Sequence, residues 1–399
     1  MTVKIEKSRL CGEIKAPPSK SAAHRMLLLA AISGGVCKVD NLDYSEDVLA
    51  MIDCLNALGA KCRVNGGEVE VDGSGFLKNI TPILNCRESG NTLRFLIPLC
   101  LTLGCEIRLE GSKRLMERPQ KVYSDLCREH GFLYKSDGAV TVCGRLSSGV
   151  YRLDGSVSSQ FISGMIFALL CCDGVGKIEI APPFESRSYV ELTLRAIEAF
   201  GGKARFIDPL TVEVVGKSLS PRNVAVEGDY SNAAFLDAFN CAGGAVKVTG
   251  LSDNSAQGDR IYKKHFADIL SGSPEIDISD CPDLGPVLMA AAALNNGCKL
   301  TGTRRLAIKE SDRGAAMKEE LEKFGVKIIC GENEITVPKC SLKAPSEPLC
   351  GHNDHRIVMS LAVMATVTGG VIEGAEAVRK TYPSFFENIK KLGARLEIF

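Results

Sequence analysis

The chain has 399 residues, 45% of them hydrophobic and 24% charged, with 48 basic and 48 acidic side chains that cancel; this balance argues against a nucleic acid or an anionic membrane surface as main partner. No apolar run reaches the ~20 residues of a bilayer span, the first residues lack an export-type apolar stretch, and 17 cysteines without a CxxC pair read as reduced thiols rather than disulfides or metal ligands. A cytoplasmic protein of two domains is expected from these bounds.

Taken in chain order, a polar cluster runs into an apolar, helix-like stretch that stops at glycine, and does so six times. The clusters are 19–25, 88–92, 156–160, 229–232, 280–283 and 352–356, and the stops are Gly34, Gly104, Gly174, Gly243, Gly297 and Gly369. Successive stops lie 70, 70, 69, 54 and 72 residues apart, which marks an internal repeat. After each stop come a short β-type run, a charged loop and a second, amphipathic helix. These second helices end at Gly59, Gly131, Gly201, Gly272, Gly325 and Gly393, where a left-handed cap is expected to reverse the chain into the next strand.

The unit is therefore helix, strand, helix, strands, and the fold class is α/β. The first helix of each unit is apolar on nearly every face and is expected to be buried. The interval of 54 is about one hairpin short. Three units per domain give a first domain of residues 14–228 and a second of residues 1–13 plus 229–399, with a hinge at the two crossovers. The strand before Pro17-Pro18 is expected to pair with the last unit.

Parallel buried helices would converge their positive N-terminal ends on one face of each domain, and two such faces opposed would make a cleft for a small, multiply anionic ligand. Lys20, Ser21 and Arg25 stand at the first helix start, with Ser19 or Ser21 available to cap. Cations are unfavourable there, so a bound anion is favoured over a solvated turn. Ser158-Ser159-Gln160 offers more than a cap needs, and Gly90 permits close backbone approach. Arg118 precedes a helix-starting proline. The stretch Lys309-Glu310-Ser311-Asp312-Arg313 packs both charge signs, and Asn353-Asp354-His355-Arg356 opens the sixth buried helix. Such arginines can grip carboxylate or phosphate, or form structural ion pairs, with Asp354 and Arg356 the strongest case for a pair. Asp283 is either a carboxylate favoured by the helix dipole or a general base. His24 and His355 read as hydrogen-bonding groups rather than metal ligands. No nucleophilic triad is legible.

Together these clusters resemble the 5-enolpyruvylshikimate-3-phosphate synthase family of enolpyruvyl transferases. The markers, in order along the whole chain, are Pro18-Ser19-Lys20-Ser21 with Arg25, Gly90-Asn91-Thr92-Leu93-Arg94, Leu115-Met116-Glu117-Arg118-Pro119, Ser158-Ser159-Gln160, Lys309 to Arg313, Asn353 to Arg356, and Lys380-Thr381-Tyr382-Pro383. The resemblance implies a two-domain enolpyruvyl transferase fold, an inside-out α/β barrel, with three βαβαββ-type repeats and buried parallel helices in each domain. It assigns Lys20, Ser21, Arg25, Ser158, Ser159, Gln160, Ser186, Tyr189, Asp283 and Lys309 to shikimate 3-phosphate. It assigns Lys20, Gly90, Arg118, Gln160, Arg313, Arg356 and Lys380 to phosphoenolpyruvate.

The implied chemistry is addition of the 5-hydroxyl to the enol carbon, then loss of phosphate from a tetrahedral intermediate. Asp283 takes the hydroxyl proton, Glu310 is favoured as donor to the methylene carbon, and Lys20 stabilises charge. No cofactor or metal is implied, and the chain is expected to act as a monomer on two small anions. Arg305 stands where some relatives have asparagine and is left outside the site. Phe95 stands where some have proline, which is expected to shift the helix carrying Gly90. Alanine at Gly90 is associated in the family with glyphosate insensitivity, so glyphosate is expected to compete with phosphoenolpyruvate here. The alternatives are a UDP-N-acetylglucosamine enolpyruvyl transferase, which usually carries a loop cysteine absent from 112–119, and a non-catalytic repeat scaffold.

Overall fold

A computed structural model describes residues 1–399. The chain folds as two compact units, a first formed by Lys20–Glu227 and a second formed by Met1–Ser19 with Gly228–Phe399. The first crossing thus falls later than the 13/14 boundary expected above. The reason is that strand Cys11–Lys15 runs parallel to Ala245–Thr249 along its whole length and stays with the second unit. Each unit has its own hydrophobic core. No helix is long and apolar enough to cross a membrane.

The repeat is visible in the sheets. In the first unit the strands Val224–Ala225, Val36–Asp40, Glu68–Asp72 and Lys61–Asn65 lie side by side in that order. The first pair is parallel and the other two are antiparallel. The same pattern recurs with Ile83–Asn85, Ile107–Glu110, Val140–Cys143 and Leu133–Ser136, and again with Val150–Asp154, Val175–Ala181, Thr211–Val215 and Lys203–Asp208. Alternate residues of these strands are buried, as in Val36–Asp40, whose Cys37 and Val39 point inward.

The second unit departs from this pattern in two ways. Its last sheet is Leu349–Cys350, Gly370–Glu373, Thr2–Ile5 and Leu396–Ile398, so the N-terminal strand fills the place a hairpin strand holds elsewhere. The strand that pairs with the last repeat is therefore Thr2–Ile5, and Cys11–Lys15, the one next to Pro17-Pro18, pairs with the fourth repeat instead. That fourth sheet has only two strands. Its missing hairpin accounts for the short interval, and it also changes a turn. All six stop glycines have positive φ, as do Gly59, Gly131, Gly201, Gly325 and Gly393, but Gly272 is extended at φ −178°. With no hairpin to enter, the chain runs straight on through Ser273-Pro274 into Glu275–Asp277, so no left-handed cap is needed there.

The buried helices are Lys20–Ile32, Gly90–Cys100 and Ser159–Cys171 in the first unit and Tyr230–Cys241, Gly285–Leu294 and His355–Thr368 in the second, packed on one another within each unit. Close approach of Gly90–Cys100 and Ser159–Cys171 depends on Gly164, where a Cβ would meet the Arg94 carbonyl oxygen at 2.3 Å. Phe95 and Phe167 meet edge to face across this seam, with ring centroids 5.0 Å apart. The helix keeps a proline, Pro98, three residues beyond Phe95.

Candidate functional site

The residues singled out from the sequence are divided between the two units. In the first unit the start of Lys20–Ile32 is tied to the next two helices. Lys20 Nζ lies 2.7 Å from Asp47 Oδ2, and both side chains are largely buried. His24 Nδ1 sits 2.8 Å from the Lys20 carbonyl, while Nε2 sits 3.0 Å from the Asp47 carbonyl and 3.3 Å from Ser89 Oγ. Burial pushes the His24 pKa down to about 4 and keeps the ring neutral. Ser89 caps the helix that begins at Gly90, accepting from the Thr92 amide at 3.2 Å.

Arg25 is a buried guanidinium whose protein partners are all neutral. Nε donates to Thr193 Oγ1 at 2.8 Å, and the two terminal nitrogens donate to the Ser21 and Tyr189 carbonyl oxygens at 2.7 and 3.0 Å. Burial lowers its pKa to about 10. These contacts use three of the five N–H donors of a guanidinium, and a desolvated cation with no carboxylate beside it is costly unless an anion compensates it. Ser186 is also buried and holds a left-handed backbone at φ 55° as it leads into helix Arg187–Ala199. A serine held there is a strained residue of the kind found at ligand sites.

Gln160 and Arg118 form the rest of this group. Ser158 caps helix Ser159–Cys171, accepting from the Gln160 amide at 3.3 Å, and Ser159 is buried in its first turn. The Gln160 side-chain oxygen accepts from Arg94 at 2.7 Å and its nitrogen donates to Asn91 Oδ1 at 2.6 Å. Arg118 is buried beside Gly90, close enough that a Cβ on Gly90 would lie 2.7 Å from its NH1.

In the second unit a dense charge cluster surrounds Asp283. Its Oδ1 is 3.1 Å from Lys309 Nζ and 2.9 Å from Arg313 NH1, and its Oδ2 is 2.9 Å from Arg356 NH2. Burial alone would raise the Asp283 pKa, but Arg356, Lys309 and Arg313 together hold it well below the usual carboxylate range. Arg313 also pairs with Glu310 at 2.7 Å and, through Nε, with Asp354 at 2.9 Å. Burial draws the Lys309 pKa down to about 8 against the pull of Asp283. Lys380 donates to the Asn353 carbonyl at 2.6 Å.

Two expectations change here. Asp354 and Arg356 are not a side-chain pair: the Asp354 carboxylate caps its helix by accepting from the Arg356 amide at 2.9 Å and spends its charge on Arg313. The fourth helix start, which lies at the crossover where a hinge was expected, supplies Ser231, whose Oγ accepts from Arg356 NH1 at 2.7 Å. Asp47, Asn91, Arg94, Thr193 and Ser231 are the partners the sequence reading missed. Of these, Asn91 and Ser231 sit inside polar clusters already noted, and Arg94 in the marker stretch Gly90-Asn91-Thr92-Leu93-Arg94. Arg305, left outside the site, donates to the Ser279 carbonyl.

This fold is that of the enolpyruvyl transferases. An EPSP synthase of Acinetobacter baumannii superposes over 100% of both chains with a TM-score of 0.79 at 23% identity. The enolpyruvyl transferase NikO of Streptomyces tendae superposes over 99% of this chain and 98% of its own, with a TM-score of 0.77 at 16% identity. The chain belongs to the EPSP synthase (3-phosphoshikimate 1-carboxyvinyltransferase) family, whose pattern it matches over residues 5–389. It is 37% identical to the 3-phosphoshikimate 1-carboxyvinyltransferase of Clostridium kluyveri over 99% of this chain and 98% of that one. With the enzyme of the same name from Clostridium beijerinckii it shares 36% identity, over 98% and 97%.

Proposed function

We propose that the chain transfers the enolpyruvyl group of phosphoenolpyruvate to the 5-hydroxyl of shikimate 3-phosphate and releases inorganic phosphate. Besides the family, the observation that carries the reading is Asp283, a single carboxylate gripped by Lys309, Arg313 and Arg356 beside Glu310. Such a carboxylate is too weak a base while its cations are undivided. An incoming anion that engages Arg313 and Arg356, with Lys380 assigned to the same anion, would draw the two guanidinium charges away from Asp283 and raise its proton affinity. Asp283 then accepts the 5-hydroxyl proton as the oxygen bonds to the enol carbon, and Glu310 delivers a proton to the methylene carbon. In the second stage that carbon returns its proton to Glu310, the C–O bond to phosphate breaks, and the proton held by Asp283 leaves with the phosphate.

On the first unit, Arg25, Ser21, Ser158, Ser159, Ser186 and Tyr189 are assigned to shikimate 3-phosphate, with the unneutralised charge of Arg25 as the supporting feature. Gly90, Arg118 and Gln160 are assigned to phosphoenolpyruvate, and Lys20 to charge stabilisation with Asp47 as its anchor. A reducing, cytoplasmic setting suits the 17 cysteines, all of them thiols. The test is phosphate release from phosphoenolpyruvate by the purified protein. The reading requires release that depends on added shikimate 3-phosphate, and release independent of it, or none with both present, counts against it.

A further inference from the structure

Phe95 lies under Arg25, a substrate-assigned cation with no carboxylate among its hydrogen-bond partners. The Arg25 guanidinium carbon stands 5.3 Å from the Phe95 ring centroid, over its face. The ring is itself held edge-on by Phe167 at 5.0 Å and is wholly buried. On its remaining sides Arg25 meets a hydroxyl and two carbonyl oxygens. A buried guanidinium left without compensation is costly. A carboxylate would compensate it but would also neutralise the charge that an anionic substrate needs. An aromatic face attracts the cation while taking up none of its N–H donors.

We infer that Phe95 is a positioning residue for the phosphorylated substrate: its ring keeps Arg25 charged and fixed in plane, with two N–H groups uncommitted, in the role an acidic side chain would otherwise play. This rests on the assignment of Arg25 to shikimate 3-phosphate. It also gives a reason for phenylalanine at this point of the Gly90–Cys100 helix, where neither a proline nor an aliphatic side chain offers a π face.

The test replaces Phe95 with phenylalanines carrying one, two and three ring fluorines in the full chain, which changes shape little and weakens the ring face step by step. The dissociation constant for shikimate 3-phosphate, read by calorimetry, rises with each fluorine, reaching about threefold to tenfold at three. The KM for phosphoenolpyruvate and the unfolding midpoint stay at wild-type values, and in an Arg25→Met background the trend disappears. A flat series alongside strongly weakened binding by Arg25→Met overturns the role of the ring alone. An Arg25→Met variant that binds shikimate 3-phosphate as tightly as the wild type overturns the substrate assignment beneath it.

Discussion

Arg356 grips Asp283 twice, through NH2 to the carboxylate Oδ2 at 2.9 Å and through NH1 to the main-chain carbonyl at 3.1 Å. The guanidinium therefore fixes both the charge and the backbone of the residue assigned as base, and Ser231 locks the same NH1 from a third side. A group held so firmly is oriented before substrate arrives, which is what efficient proton transfer requires.

Asp283→Asn keeps the shape of this arrangement and removes the base. The turnover number is expected to fall by about 10²- to 10⁴-fold, while the KM for phosphoenolpyruvate does not rise, because Arg313 and Arg356 lose an internal competitor. Steady-state kinetics decide the matter. A turnover number within a few-fold of wild type would remove Asp283 from the chemistry.

Gly90→Ala puts a methyl group 2.7 Å from Arg118 NH1. The arginine is a flexible side chain and can yield, so the fold survives, but its guanidinium leaves the position that the assignment gives it against phosphoenolpyruvate. The KM for phosphoenolpyruvate is expected to rise about tenfold to a hundredfold. Glyphosate, expected to compete with phosphoenolpyruvate in the wild type, should inhibit this variant less. Equal inhibition of both proteins at low phosphoenolpyruvate contradicts the link between Gly90 and Arg118.

Lys309 carries a pKa lowered to about 8 by burial. As pH climbs through that value the side chain loses its charge, and with it one cation assigned to shikimate 3-phosphate. The kcat/KM for that substrate should decline above pH about 8, whereas kcat, measured with the anion bound and the ammonium stabilised, declines at higher pH. Lys309→Arg, which stays charged, abolishes the early decline. A pH profile unaltered by that change speaks against the role of Lys309.

His352 lies 3.0 Å from the buried Glu320 carboxylate, and the hydrogen bond between them raises the His352 pKa above its ordinary 6.5. A folded-state pKa above the unfolded one stabilises the charged form. This contribution is complete below pH 6.5 and is lost as pH rises through the folded value. Thermal unfolding of His352→Gln should therefore differ from wild type more at pH about 6 than at pH about 8. A difference independent of pH would mean that the pair is not ionised.

The repeat was legible because it is written in local patterns. An apolar run ending in glycine specifies a buried helix and a positive-φ turn, and every one of the six stop glycines adopts that backbone. The exception, Gly272, was illegible at the glycine itself, since its conformation depends on whether a hairpin follows. Charged residues at helix starts were equally readable, but their partners were not. Lys20 finds Asp47 27 residues away and Arg356 finds Ser231 125 residues away. Those pairings depend on which helices the packing brings side by side. The neutral surroundings of Arg25, set by Thr193 and by the Phe95 ring, belong to the same class.

The most direct measurement is isothermal titration of the full chain with shikimate 3-phosphate and, separately, with UDP-N-acetylglucosamine. The account predicts saturable heat with shikimate 3-phosphate, greatly reduced in Arg25→Met, and none with the UDP-sugar. Heat with the UDP-sugar and none with shikimate 3-phosphate would contradict it.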